Sequence, residues 1–294
     1  MILVTGATGK VGSEAVRLLR QHDQPVRAMV RDPGRGAPLA AVGATITRAD
    51  FDDPGRIDQA MTGVDTVILV SPAVPAQELN VIASASRHGV KSVIKVTSKA
   101  SADSPIARRR GQAEIEAGLA ASGLPHTLLR ANAFMQNTLA LAPVIAKTGG
   151  FGSSAGTGRV GMVDARDIAA AAAEIATAPE EHGGRTYWLT GPALISYADV
   201  AAVLSGVLER PVTYRPVSFE EDRAAMISAG VPAAIAEMNA QAFSLIADGE
   251  AAWLSEDIPA LLGRPARSYE QFATDFAAGF GWPPPGLVDE ASNA

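Results

Sequence analysis

A chain of 294 residues with no cysteine and only four histidines cannot form disulfides or use thiolate catalysis, and no metal site is expected of it. Its hydrophobic fraction of 47% is ample for a buried core; its net charge of −6, with Lys and Arg spread out, offers no footprint for nucleic acid or an anionic membrane. No basic segment precedes an apolar signal region and no apolar run reaches spanning length, so the expected location is the cytoplasm.

The first dozen residues set the frame. The apolar run Ile2-Leu3-Val4 meets Thr5-Gly6-Ala7-Thr8-Gly9-Lys10-Val11-Gly12, after which Ala15, Val16, Leu18 and Leu19 fall at helical spacing. Glycines at such a strand-to-helix junction leave backbone N–H groups and the positive end of a helix dipole facing an anion. Gly6 suits the tight turn, Gly9 the close approach of a pyrophosphate, and Gly12 the packing of helix on strand. The spacing differs from Gly-x-Gly-x-x-Gly and is a weak signal alone; its weight comes from the series of β-α-β units that it opens.

Strand-like segments at 26–30, 44–48, 66–70, 93–97 and 126–130 alternate with helical ones, among them an amphipathic helix at 112–121 that closes on Ser122-Gly123. Repeated β-α-β with short apolar strands predicts a Rossmann, doubly wound parallel sheet of the α/β class, with ligands at the strands' carboxyl ends. Beyond about Ala131 the rhythm loosens. A helix at 134–146, a Gly/Ser-rich loop at 149–158, a strand-helix unit at 160–176, strands at 186–189 and 212–214, and helices at 197 onward, 219–229, 232–247 and 269–280 predict a smaller, helix-rich C-terminal domain. The expected boundaries are 1–150 and 151–280, with segments near 160–190 free to rejoin the first domain and a Pro-rich tail at 281–294.

Arg31 stands directly after the second strand, where nucleotide-binding folds read the ribose; a cation there favours a 2′-phosphate, whereas the adjacent Asp32 suits a free 2′-hydroxyl. Asp50 and Phe51, Ser71 and Pro72, and Thr97 and Ser98 close the third, fourth and fifth strands, where an adenine, a ribose and a nicotinamide could successively lie, although turn and cap chemistry explains these residue types equally well. The cofactor-binding candidates are therefore Gly6, Thr8, Gly9, Lys10, Val11, Gly12, Arg31, Asp50, Phe51, Ser71, Pro72, Thr97 and Ser98. Phe134, Met135 and Asn137, following the sixth strand, are the candidate substrate contacts, with core packing as the competing reading. Met226, Phe243 and Trp253 could line the same cleft, and Arg108-Arg109-Arg110 is the only basic cluster.

These residues, together with Gly63-Val64-Asp65, Leu129-Arg130-Ala131-Asn132-Ala133-Phe134-Met135-Gln136-Asn137, Val163-Asp164-Ala165-Arg166-Asp167, Leu189-Thr190-Gly191-Pro192 and Gly263-Arg264-Pro265, resemble the NmrA-like atypical short-chain dehydrogenases/reductases. Within them the likeness is to the type 2 NAD(P)H:quinone oxidoreductase and triphenylmethane reductase group. The resemblance implies an NADP(H)-binding Rossmann domain, a substrate cleft between domains, and hydride transfer to a small aromatic or quinone-like molecule. None of the four tyrosines has a lysine four residues on, so the Tyr-x-x-x-Lys acid/base pair of typical members is missing and the catalytic residues are unknown. Two alternatives stay open: a non-catalytic NADP(H) redox sensor, and a tailoring ketoreductase or ene-reductase. A homodimer is one expected assembly.

Overall fold

The computed structural model describes residues 1–281, so the expected Pro-rich tail, 281–294, lies outside the described residues except for Gly281. In chain order its first half contains β1 (Ile2–Val4), α1 (Lys10–Gln21), β2 (Val26–Val30), α2 (Ala37–Ala41), β3 (Thr45–Arg48), α3 (Pro54–Met61), β4 (Thr66–Leu69), α4 (Pro75–Arg87), β5 (Ser92–Thr97), α5 (Ala107–Ala121) and β6 (His126–Ala131). There follow α6 (Ala142–Thr148), β7 (Gly150–Ser153), β8 (Arg159–Val160), α7 (Ala165–Thr177), β9 (Thr186–Leu189), β10 (Ile195–Ser196), α8 (Tyr197–Val207), β11 (Thr213–Pro216), α9 (Phe219–Ser228), α10 (Ala233–Ala247), α11 (Asp257–Leu262) and α12 (Tyr269–Asp275).

Seven strands form one sheet in the order β3-β2-β1-β4-β5-β6-β9, and every pairing is parallel. Every residue of β1, β4 and β5 is buried, as in a sheet covered on both faces by crossover helices. The order reverses between β1 and β4, which places a crevice where the loops after these two strands diverge. This is the doubly wound Rossmann sheet expected.

The chain divides into two compact units. The first comprises Met1–Asn132, Ala165–Leu189 and Ser255–Pro265; the second holds Ala133–Asp164, Thr190–Leu254 and the described residues from Ala266. The division thus falls after Asn132 rather than at residue 150, because Met135 and Ile145 pack into the second unit's core with Phe151 and Val160, and the Met135 N–H donates to the Val163 carbonyl at 2.9 Å. The segment 165–189 rejoins the sheet unit: β9 extends the sheet beyond β6, and the alanine-rich α7 packs on α1. Residues 255–265 join as well, Asp257 Oδ2 accepting the Trp188 N–H at 2.6 Å.

In the second unit the expected helix over 134–146 is split into a 3-10 turn, Met135–Leu141, and α6. Pro143 lies in the first turn of α6; lacking an N–H, it suits a helix start and interrupts one arriving from upstream. The expected loop at 149–158 contains β7, which pairs in parallel with β11 and buries Phe151 against Tyr197 and Tyr214. No helix among the described residues is long and apolar enough to cross a membrane.

Candidate functional site

The loop between β1 and α1 is built on two contacts that only glycine permits. Gly6 has φ +54°, and a Cβ there would stand 2.6 Å from the Val70 carbonyl; a Cβ on Gly12 would stand 2.4 Å from the Gly6 carbonyl. Gly9 is different. It has ordinary extended backbone, is exposed, and a Cβ on it would meet only the Gly6 carbonyl, at 3.1 Å, so the surrounding protein does not demand its bareness. It is the N-cap of α1 and offers no side-chain cap, and the first helical turn contains no acidic residue. The positive end of the α1 dipole has no acidic side chain of its own first turn beside it, which suits an anion from outside the chain.

Beside this loop an open pocket of about 340 Å³ is lined by Thr8, Arg31, Asp32 and Arg35. Arg31 follows the end of β2. Arg35 is brought back towards it by the 3-10 turn Pro33–Gly36, in which Asp32 Oδ1 accepts the Gly34 N–H at 2.9 Å and the Asp32 carbonyl accepts the Arg35 N–H at 3.1 Å. Asp32 thereby caps the turn that aims the second arginine. Among the described residues neither Arg31 nor Arg35 forms an ion pair, and both are exposed. Lys10 opens α1, and partial burial holds its ammonium below the usual lysine pKa. The side chain of Val11 is buried in the core, so only its backbone faces the turn.

The later strand ends divide into outward and inward groups. Pro72 is exposed, and Asp50, Ser71 and Ser98 are half-buried. Asp50 Oδ1 accepts the Asp52 N–H at 3.1 Å, a local turn. Phe51, by contrast, belongs to the hydrophobic core with Met29, Ile57 and Met61, and its carbonyl accepts from Asn80 Nδ2 at 3.0 Å. Thr97 is buried, its hydroxyl 2.9 Å from Gln112 Oε1 and 3.0 Å from Glu116 Oε1. Glu116 also binds Arg130, whose guanidinium lies 5.0 Å from the centre of the Trp188 ring. Gln112 and Glu116, one helical turn apart on α5, thus serve the sheet's own polar groups.

The three substrate candidates all fall in the second unit. Met135 is a core residue, 1% exposed, its N–H donating to the Val163 carbonyl at 2.9 Å. Phe134 is half-buried and bridges to Val163, and Asn137 is exposed.

Two features escaped the sequence reading. One is Arg35. The other is a buried ion pair: Lys95 on β5 and Glu78 on α4 are both fully buried, with Nζ 2.8 Å from Glu78 Oε2 and donating to the Val96 carbonyl at 2.7 Å. Burial pulls the Lys95 pKa down, and the facing carboxylate opposes that pull. A lysine inside the run Val93-Ile94-Lys95-Val96 was itself the signal, since a charge in a fully buried strand requires a buried partner.

A cradle of bare backbone at a helix N-terminus, flanked by two guanidinium groups that form no ion pair among the described residues, defines a dinucleotide-binding protein of the Rossmann type. The family model described as "NmrA-like family" matches residues 1–258, and the chain belongs to that family. It is 38% identical over 285 residues to the NAD(P)H azoreductase of Xenophilus azovorans, covering 96% of this chain and 99% of the relative. To quinone oxidoreductase 2 of Escherichia coli it is 34% identical over 272 residues, covering 90% and 94%. Among solved structures, the NADPH complex of an NADPH-dependent quinone oxidoreductase from Escherichia coli superimposes with a TM-score of 0.86 at 32% identity, covering 94% of this chain and 100% of that one. The Citrobacter triphenylmethane reductase complexed with NADP(H) gives 0.84 at 29% identity over the same shares.

Proposed function

We propose that this chain is an NADPH-dependent reductase that transfers a hydride to a quinone or another conjugated, electron-poor organic molecule, working in the cytoplasm without a Tyr-x-x-x-Lys pair. The observation that carries the reading is the pocket of Thr8, Arg31, Asp32 and Arg35 beside the start of α1, whose N-cap Gly9 supplies no side-chain cap. Two guanidinium groups outweigh the Asp32 carboxylate, which accepts the Gly34 N–H, and with the Thr8 hydroxyl they give a phosphate dianion a net positive, hydrogen-bonding lining, which favours NADPH over NADH. The relatives support the reading: their names and titles specify NAD(P)H azoreductase, quinone oxidoreductase 2, and a quinone oxidoreductase complexed with NADPH.

In this assignment the first N–H groups of α1 and the open face of Gly9 hold the pyrophosphate, and Thr8, Arg31 and Arg35 hold the 2′-phosphate. Lys10 adds a cation. Asp50, Ser71, Pro72 and Ser98 border the remaining half of the dinucleotide, while Phe51 and Thr97 shape the site from behind. When bound, the dinucleotide supplies the hydride. Phe134 offers an aromatic face and Asn137 an amide to the acceptor, and Met135 supports them from the core. A quinone needs chiefly a correctly aligned donor, and its oxygen takes a proton from water, so the missing Tyr-Lys pair removes no indispensable step.

The test is NADPH oxidation against a panel of quinones and azo dyes. Turnover with at least one acceptor class is expected; tight NADPH binding with no turnover on any of them overturns the enzyme reading in favour of a redox sensor.

A further inference from the structure

The end of β4 is braced from two sides. On one side the Val70 N–H donates to Thr5 Oγ1 at 2.9 Å while Thr5 Oγ1 donates to the Val70 carbonyl at 2.8 Å, tying β4 to the start of the glycine loop. On the other side Ser71 Oγ donates to Glu78 Oε1, and the Ala73 N–H donates back to Ser71 Oγ at 2.9 Å. Ala73 has φ +65°, a left-handed conformation that a residue with a Cβ adopts only under restraint. That restraint leads through Glu78 to Lys95, which is fully enclosed and fixed in turn by the Val96 carbonyl. A buried ion pair is poor evidence of stabilisation in itself, because desolvation offsets the attraction. One placed behind a strained turn at the crevice has another use, since functional sites are where strained backbone is held by its surroundings.

We propose that the buried Glu78–Lys95 pair is a positioning device for the turn Ser71–Ala73, fixing the wall that the end of β4 presents to the cofactor. The pair touches no ligand. Its carboxylate orients the Ser71 hydroxyl, the hydroxyl holds the Ala73 N–H, and the turn keeps one shape whether or not the site is filled. That the wall faces NADPH rests on the function proposed above; that the pair holds the turn does not.

The experiment uses the full chain and two readouts. In the absence of cofactor, hydrogen exchange over residues 71–76 is expected to run roughly tenfold faster in Ser71→Ala and Glu78→Gln, the equivalent of one lost hydrogen bond, with the glycine loop and β2 unchanged. Ser71→Thr keeps the hydroxyl and should retain the slow exchange. In kinetics, the KM for NADPH should rise roughly tenfold in Glu78→Gln, whose side chain is enclosed and touches no cofactor, while kcat stays within about twofold. Lys95→Met is included, but the two milder variants decide the matter if it does not fold. Unchanged exchange in folded variants overturns the proposal, as does faster exchange with unaltered NADPH affinity, which would make the pair merely structural. If the parent chain binds no NADPH, the cofactor reading falls, and the exchange contrast alone decides whether the pair holds the turn.

Discussion

Two pairs of charged side chains stand near the carboxyl edge of the same sheet and are used in opposite ways. Arg31 and Arg35 are exposed and make no ion pair among the described residues, Arg35 standing in a turn that Asp32 caps. Glu78 and Lys95 are wholly enclosed and are each other's counter-charge, with Nζ donating to Glu78 Oε1 at 3.1 Å. An exposed unpaired cation contributes almost nothing to folding and remains available to a ligand; an enclosed pair is closed to ligands and acts only through what it holds in place. Charge near a crevice is thus insufficient to mark a binding residue, and burial separates recognition from positioning.

The largest effect should come from breaking the enclosed pair. Lys95→Met leaves Glu78 buried without a counter-charge, and such losses run to about 3–5 kcal/mol. Urea unfolding of the full chain is the measurement. Glu78→Leu combined with Lys95→Met removes both charges and should recover most of the loss; failure to recover would mean that packing of the lysine stem outweighs its charge.

The exposed pair should break differently. Arg31→Ala and Arg35→Ala each remove charge-assisted bonds to a 2′-phosphate, and NADPH affinity should fall roughly 10- to 100-fold, or about 1.5–3 kcal/mol. NADH affinity and the unfolding midpoint should hardly move. Equal weakening of both dinucleotides would sink the assignment of the pocket, and raising the salt concentration should weaken NADPH binding more than NADH binding.

How much of this was legible in the sequence obeys the same division. The strands were readable because each is a continuous apolar run between turn signals, and the observed β2 and β9 have the expected bounds. Arg31 was readable because it adjoins a strand end. Arg35 was not, because its place depends on the 3-10 turn that Pro33 and Asp32 create, a local geometry that spacing does not report. Glu78 and Lys95 lie 17 residues apart on different elements, and only the packing of α4 on the sheet joins them. The strand within 149–158 was hidden by its glycines, which read as loop but sit in β7 beside β11. Fold is written in local pattern, whereas pairings between distant elements need the fold first.

A smaller change tests the glycine loop itself. Gly9→Ala introduces a Cβ that the protein tolerates, apart from the 3.1 Å approach to the Gly6 carbonyl, so stability should change by about 1 kcal/mol or less. NADPH affinity should nevertheless fall more than roughly tenfold, as binding depends on close approach to the bare backbone. Gly12→Ala provides the contrast, since its Cβ would collide with the Gly6 backbone and should compromise folding whether or not cofactor is present.

The weakest effect is expected at the opposite end of the sheet. There Asp65 is held by Lys91 at 2.8 Å and by the Met1 amino group at 2.9 Å, and these partners depress its pKa from the usual carboxylate value to about 2. The folded pKa lies below the unfolded one, so the protonated unfolded state gains ground as acid is added: the contribution is complete above about pH 4 and disappears as the pH falls towards 2. The exposed Lys91 has its pKa raised by the same contact, so its share is present at neutral pH and lost only in strong base. Asp65→Asn should therefore match the parent chain at about pH 2 and fall slightly below it at about pH 7, a gap that thermal unfolding across that range would measure. Because these groups are exposed, high salt should shrink the gap, while the buried Glu78–Lys95 pair should respond far less. If Asp65→Asn proved as sensitive to salt-independent disruption as Lys95→Met, burial would no longer separate the charges that hold this sheet from those that merely decorate its ends.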